Sequence, residues 1–243
     1  MGKVSVGFFS FTEITDSSEH RSYNEWHQLD HMPEQYPLAG IVAGQRWVST
    51  PACRARRAVS EGLLDPIHYM TLYLMGEPLE TTLAGFKDLA ARLRVDGRFH
   101  SQRRSRLSGP FDRESIAVAG RVRISAEAVP YRPNRGVYVV VEGRSGPRHP
   151  EHPDRLVPLT EVDGVVGAWA FSAGAHAESR EWLTGEHRIT VCWLDDDPLA
   201  VAGRLEPVLA RQWAEDAVTP VLAGPFESIT PWAWDWFDDT AGA

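Results

Sequence analysis

The chain has little that could tie it together covalently and nothing long enough to cross a lipid bilayer. Its 243 residues include two cysteines, Cys53 and Cys192. These are too few for a disulfide framework and lack CxxC spacing, so both read as buried apolar side chains and a reducing cytoplasm is the expected location. No stretch offers the roughly 20 consecutive apolar residues that a spanning helix needs. No membrane partner is expected. The apolar run at residues 4–11 follows a single lysine and lacks a small-residue cleavage site, which makes it a strand candidate rather than a signal peptide. Positive charge is short as well: 25 Lys and Arg stand against 33 Asp and Glu, for a net charge of −8. With no basic stripe in the chain, nucleic acid is not an expected partner.

What is present is ordinary for a globular protein, with 43% hydrophobic and 24% charged residues. The length allows a sizeable core in one large domain or two small ones. Nine tryptophans are many for this length, and several are candidates for lining a pocket or an interface.

The text repeats itself. Gly40-Ile41-Val42-Ala43-Gly44-Gln45-Arg46-Trp47 resembles Gly164-Val165-Val166-Gly167-Ala168-Trp169, and Glu77-Pro78-Leu79 resembles Asp197-Pro198-Leu199. Leu107-Ser108-Gly109-Pro110-Phe111 recurs as Leu222-Ala223-Gly224-Pro225-Phe226, each followed by Glu-Ser-Ile. Three matches in one order argue for a duplicated unit of about half the chain. Each half reads as β-α-β-β-α-β, the ferredoxin-like order, with units at residues 1–130 and 131–243. In the first, strands are expected at residues 4–11, 41–49, 67–75 and 113–119, with helices at 19–32 and 78–95. In the second, strands are expected at 136–142, 165–172, 188–194 and 226–232, with a helix at 198–213 capped by Asp197. The place of the second unit's first helix is taken by residues 146–153, whose three prolines forbid a regular helix. His149 and His152 are therefore loop residues, and one working site is expected, in the N-terminal half.

That site centres on Tyr23-Asn24-Glu25-Trp26-His27-Gln28-Leu29-Asp30-His31-Met32-Pro33-Glu34. At about 100° per residue, Trp26, Asp30, Tyr23, Glu34, His27 and His31 fall on one arc of a helix. A face mixing aromatics with ionisable groups suggests a polar-lined cavity. Pro33 ends the regular helix near His31, where the helix dipole favours the protonated imidazole and Glu34 could accept a hydrogen bond from the ring. That is the wiring of a general acid/base. Two other readings fit the same residues. His31 and His27 could be solvated helix-end residues, and Asp30 a solvated carboxylate. Alternatively His27 and His31, at i,i+4 spacing, could bind a metal with Glu34 as third ligand, although Gln28 stands where the zinc-protease pattern requires Glu.

Tyr23, Asn24, Trp26, His31, Pro33 and Glu34, followed by the Gly40 to Trp47 strand, resemble helix 1 and its following strand in the dimeric α/β-barrel superfamily, especially its EthD-like and muconolactone-isomerase-like members. His27 stands where an aromatic is more usual. The resemblance implies an α+β fold of two tandem ferredoxin-like units forming an intrachain dimeric α/β barrel. It also implies a small ligand held between one unit's sheet and its helices. The chain would then be a monomeric pseudo-dimer or a homo-oligomer.

The function expected on these grounds is a cofactor-independent enzyme of lyase, isomerase or cyclase type. His31, assisted by Glu34, would move a proton on a small, largely apolar carbonyl compound that Tyr23 and His27 orient, with Trp26, Asp30, and either His68 or Tyr73 as further binding residues. A haem- or metal-dependent enzyme of the same superfamily and a non-catalytic binding protein are the alternatives. Arg98, Arg103, Arg104 and Arg106, with Arg54, Arg56 and Arg57, read as two basic loops, solvated or ready for a substrate's anionic group. Residues 50–66 are long for a connection and are the expected cover of the pocket. Trp232, Trp234 and Trp236 would share one face if the last strand continued through them.

Overall fold

Along the first strand, Phe9 and Phe11 point one way and Phe8 and Ser10 the other, and this period of two separates a closed interior from two outer layers. The computed structural model describes residues 4–144, 155–174, 187–215 and 218–238. The N-terminal half runs β1 (Val6–Ile14), α1 (His20–Trp26), β2 (Ile41–Val48), α2 (Pro51–Ala55), β3 (Val59–Ser60), β4 (Tyr69–Met75), α3 (Leu79–Val95) and β5 (Arg103–Val118). The C-terminal half runs β6 (Gly136–Arg144), α4 (Val157–Thr160), β7 (Val165–Ser172), β8 (His187–Leu194), α5 (Pro198–Glu215) and β9 (Val218–Ser228).

The strands form one antiparallel sheet in the order β2-β4-β1-β5-β7-β8-β6-β9-β3. β2 also pairs with β9, through Trp47 opposite Ser228 and Val48 opposite Glu227, so the ring closes. This is an α+β fold of barrel type. Within the first half the strand order is β5-β1-β4-β2, and within the second it is β9-β6-β8-β7. Gly109 lies opposite Phe9 on the first strand of its half, and Gly224 opposite Val139 on the first strand of the other.

The interior of the ring is filled by large side chains from both halves, among them Phe9, Phe111, Trp47, Trp169, Trp193 and Phe226. Three smaller cores lie outside it, one of them formed by Ile14, Tyr23, Val48, Tyr69 and Phe237. α3 lays Leu79, Leu83 and Phe86 over Phe8 and Tyr73, while α5 lays Val201, Leu205 and Leu209 over Tyr138, Val140 and Cys192. Cys53 and Cys192 are both buried and free.

Several expected elements move. The strand expected at 113–119 is the second part of β5, which begins at Arg103, so Arg103, Arg104 and Arg106 are strand residues and not a loop. β9 likewise ends at Ser228. Trp232 lies beyond it with φ 70° and is 70% exposed, whereas Trp234 is buried, so the three C-terminal indoles do not share a strand face. The 146–153 segment, with His149 and His152, falls outside the described residues.

Residues 50–66 are not a cover for the N-terminal pocket. They cross the seam: Thr50 caps α2, and Val59 and Ser60 of β3 pair with Ala223 and Leu222 of β9. Arg57 pins this strap. Its guanidinium donates to Ser60 Oγ at 3.0 Å, Ser49 Oγ at 3.1 Å, Asp65 O at 2.8 Å and Ile67 O at 2.7 Å. A side chain at Gly224 would meet Arg57 Cγ at 2.6 Å, which explains glycine in the Gly-Pro-Phe segment of β9. Replacing Arg57 with Met strands two buried carbonyls and two hydroxyls. Urea denaturation should register a loss of about 2–4 kcal/mol, from several hydrogen bonds to a charged group, with a smaller loss for Arg57→Lys.

Candidate functional site

Helix 1 does not run regularly to Pro33. α1 gives way at His27 to a π turn over His27–His31, followed by a 3-10 turn over Pro33–Gln35. Met32 N donates to His27 O at 2.9 Å, five residues back. Pro33 has no N–H to continue the α ladder. Such π turns carry one extra residue and occur often at functional sites. This one brings His27 and His31 to the same wall, where both are buried and their ring centroids lie 5.2 Å apart.

The wall belongs to a cavity of about 580 Å³ between the outer face of the sheet and the helices of the N-terminal half. Phe8 and Ser10 of β1, Thr71 and Tyr73 of β4, and Arg103 and Ser105 of β5 form its floor; α3 contributes Phe86, Ala90 and Arg94. Phe99 closes one side. Of the alternating residues of β4, the set containing Thr71 and Tyr73 therefore faces the pocket, and Met70 and Leu72 face the barrel core.

Burial governs the two imidazoles and the Tyr73 hydroxyl. Desolvation, with Arg103 next in weight, pushes His31 down to about 3, opposed by Asp30 and reinforced by Arg46 and Arg94. His27 lies well below the usual range for the same leading reason, with Arg46, His31 and Arg103 adding to it. The Tyr73 hydroxyl is pushed up by burial. At neutral pH both imidazoles are uncharged and Tyr73 keeps its proton.

Trp26 stacks on His31 at 4.6 Å between centroids and 18° between planes, and Phe99 meets the same ring edge-on at 5.2 Å. Trp26 is held in turn by its Nε1, which donates to Arg98 O at 2.7 Å. Tyr23 lies edge-on to His27 at 5.7 Å. Thr71 Oγ1 is 3.5 Å from His27 Nε2.

Three residues expected at the site lie elsewhere. Glu34 does not hold His31: its Oε1 accepts from Arg98 at 2.9 Å, and His31 Nδ1 has no hydrogen-bond partner. Asp30 is bound by the same Arg98 guanidinium. The extra residue of the π turn breaks the 100° spacing that put both carboxylates on the inward arc. With Glu34 turned away, His27, His31 and Glu34 do not form a ligand set, and among the described residues no group of three or more His, Cys, Asp or Glu is placed to hold a metal. The dipole argument for His31 fails too, because desolvation outweighs it. His68 lies at the far end of β4, where its Nδ1 accepts from Ile14 N at 3.1 Å and its ring packs on His20 and Phe237.

Arg103, expected in a basic loop that is solvated or ready for an anionic group, instead opens β5 and reaches the cavity. Arg106 nearby binds Glu13 instead, at 2.7 Å.

Among the described residues, the matching location in the second half is filled. Phe8 lies opposite Tyr73 on β4, and Tyr138 lies opposite Cys192 on β8, so a thiol stands in place of the phenol. A void of only about 10 Å³ remains there, and beside it Glu142 accepts from Arg155 at 3.1 Å and Trp213 at 3.0 Å.

Known structures share this architecture. An anthrone oxidase-like protein superposes with a TM-score of 0.53 at 16% identity, over 94% of this chain and 92% of that one. A protein provisionally assigned as a chlorite dismutase gives 0.53 at 10% identity, over 97% of this chain and 99% of that one. The fold is that of the dimeric α/β barrels. At such identities the likeness extends to the fold alone. No protein-family model matches the sequence, and no curated protein matches it. Among the described residues no helix is long and apolar enough to cross a membrane.

The buried imidazoles make stability depend on pH. A histidine kept neutral in the folded protein but free to protonate when unfolded contributes stability above about pH 6.5, and the contribution is lost as pH falls toward the folded value. For His31 and His68 the window extends down to about 3, and for His20 to about 4. Urea midpoints should fall steadily from pH 6 to pH 4. His31→Gln should remove up to about 1.4 kcal/mol per pH unit from that slope; an unchanged slope would mean that His31 titrates normally when folded.

Proposed function

We propose that the N-terminal cavity binds a small aromatic carbonyl compound and that His31 removes a proton from the carbon beside the carbonyl, without a cofactor. The observation that carries this reading is a pair of uncharged, buried imidazoles on one wall of an aromatic-lined cavity. Neutral His31 is in the form a general base needs. Trp26 and Phe99 fix its ring, taking the orienting role first assigned to Glu34. His27 and Tyr23 shape the wall beside it, and Tyr73, protonated and in the floor, can donate a hydrogen bond to the carbonyl oxygen as negative charge develops there. Lyase, isomerase and cyclase reactions all begin with such a step. A second reading, in which the carbanion reacts onward with dioxygen, is favoured by the anthrone oxidase-like neighbour.

The haem and metal alternatives receive less support from these residues. A metal-bound histidine generally directs its other ring nitrogen at a carbonyl or carboxylate, and His31 Nδ1 has no such partner.

Domain organisation belongs to the same proposal. The shared strand order and the matching positions of the two Gly-Pro-Phe segments in β5 and β9 support a tandem duplication, with ferredoxin-like units at residues 1–130 and 131–243 acting as a pseudo-dimer in one chain. The helix-1 residues Tyr23, Asn24, Trp26, His31, Pro33 and Glu34 support kinship with the EthD-like members. A cytoplasmic location remains the expectation from cysteine usage.

Proton abstraction can be read directly by NMR as deuterium incorporation into 1-tetralone in D2O. The protein should accelerate exchange over buffer, and His31→Ala should lower the acceleration by roughly 10²–10⁴ with an unchanged circular dichroism spectrum. Glu34→Gln should leave it intact. Exchange at the buffer rate, or full exchange by His31→Ala, would sink the base assignment. Oxygen uptake with anthrone separates the second reading from the first.

A further inference from the structure

Nine arginines among the described residues pair with carboxylates. Arg98 holds Asp30 and Glu34, Arg106 holds Glu13, Arg56 holds Glu206, Arg188 holds Glu114, and Arg121 and Arg132 share Asp195. Arg103 departs from this pattern. It opens β5, opposite Ile14, and a register shift between Phe11 and Thr12 of β1 sets it out of phase with the later β5 residues. Its Nη2 donates to Ser10 Oγ at 3.2 Å, its Nε is buried without a partner, and among the described residues no carboxylate pairs with it.

Its surroundings add to the imbalance. Among the described residues, the cavity lining holds one carboxylate, Asp88, beside the guanidinium groups of Arg103 and Arg94. Both guanidinium groups lie near the Phe99 ring, Arg94 at 4.9 Å and Arg103 at 5.7 Å from its centroid. The two imidazoles contribute no negative charge. A fixed cation desolvated in a cavity calls for an anion, and a guanidinium fork fits the two oxygens of a carboxylate.

We infer that the ligand of this cavity is an aromatic compound carrying an anionic oxygen group, seated on Arg103 with its ring between Phe8, Phe86 and Phe99. The ligand therefore arrives already charged, as a carboxylate or an acidic phenol. This rests on the cavity being the ligand site, as proposed above, but not on His31 acting as a base.

The test uses tryptophan fluorescence of the full-length protein, since Trp26 packs directly on the cavity wall, with 1-naphthoate and its neutral isostere 1-naphthamide as probes. Naphthoate should bind roughly 10–100-fold more tightly, the usual range for a hydrogen-bonded charged group. Arg103→Gln should erase that preference while leaving naphthamide affinity nearly unchanged, and Arg103→Lys should keep part of it. If Arg103→Gln fails to fold, the Lys variant and the salt dependence of naphthoate binding by the native protein take its place. Equal affinities for the two probes, no saturable naphthoate binding at millimolar concentration, or a preference that survives Arg103→Gln would overturn the inference. Tetralone exchange reads a different step. Its failure alongside selective naphthoate binding would refute the base and spare the anion site, and the reverse result would do the opposite.

Discussion

Closing the strands into a ring decides where chemistry can occur. The inward faces of both halves are spent on filling the barrel, where Phe9, Trp47, Phe111, Trp169, Trp193 and Phe226 pack together. A binding cavity must then lie on the outer face, between the sheet and the helices packed on it. Its size depends on how well those helices cover the strands. In the N-terminal half α3 covers only part of the floor, and the turn between α1 and Pro33 covers the rest loosely. The closure itself is narrow: two residue pairs join β2 to β9, with the Arg57-pinned strap beside them.

Why one half is open and the other closed follows from side-chain volume and polarity at matched positions. Register with the Gly-Pro-Phe strand segments places Ser10 of β1 in line with Val140 of β6, and Tyr73 with Cys192. Beyond Val140, Glu142 draws in Arg155, Trp213 and, at 3.9 Å, Arg188. A buried carboxylate with several donors is a plug, because opening a cavity around it would leave an unpaired charge. The polar groups of the first half have no such mutual neutralisation. Arg103, His27, His31 and Tyr73 remain directed at a space and not at each other.

Much of this was legible in the sequence. Period-two apolar runs gave most strands, the leucine and phenylalanine spacing gave α3, and the repeated Gly-Pro-Phe text marked positions that now prove to share a register with the first strand of each half. The aromatic-histidine helix was visible as the richest stretch. What sequence could not supply was the phase of that helix after His27. An ideal 100° step puts Asp30 and Glu34 inward, and a single extra residue in a π turn moves them to Arg98. The presence of Pro33 signalled an irregular end, but not its geometry. The strand position of Arg103 was hidden for another reason: residues 103–106 are three arginines and a serine with no apolar side chain, so hydrophobic patterning marks them as loop. A strand whose outer face lines a polar cavity carries no hydrophobic signal on that face.

The same four groups also explain how a weak base could act here. An imidazole pushed down to about 3 holds a proton poorly while the cavity is empty, because protonation adds a second cation near Arg103 in a desolvated space. A bound anion changes the sign of that interaction. Carboxylate, phenolate or nascent enolate oxygen beside Arg103 would neutralise the guanidinium and favour a positive charge on His31, raising its proton affinity only when a ligand is in place. Basicity would thus be conditional on occupancy. Under the proposed function, a cation without a carboxylate partner would be the element that couples binding to proton transfer once a ligand is present.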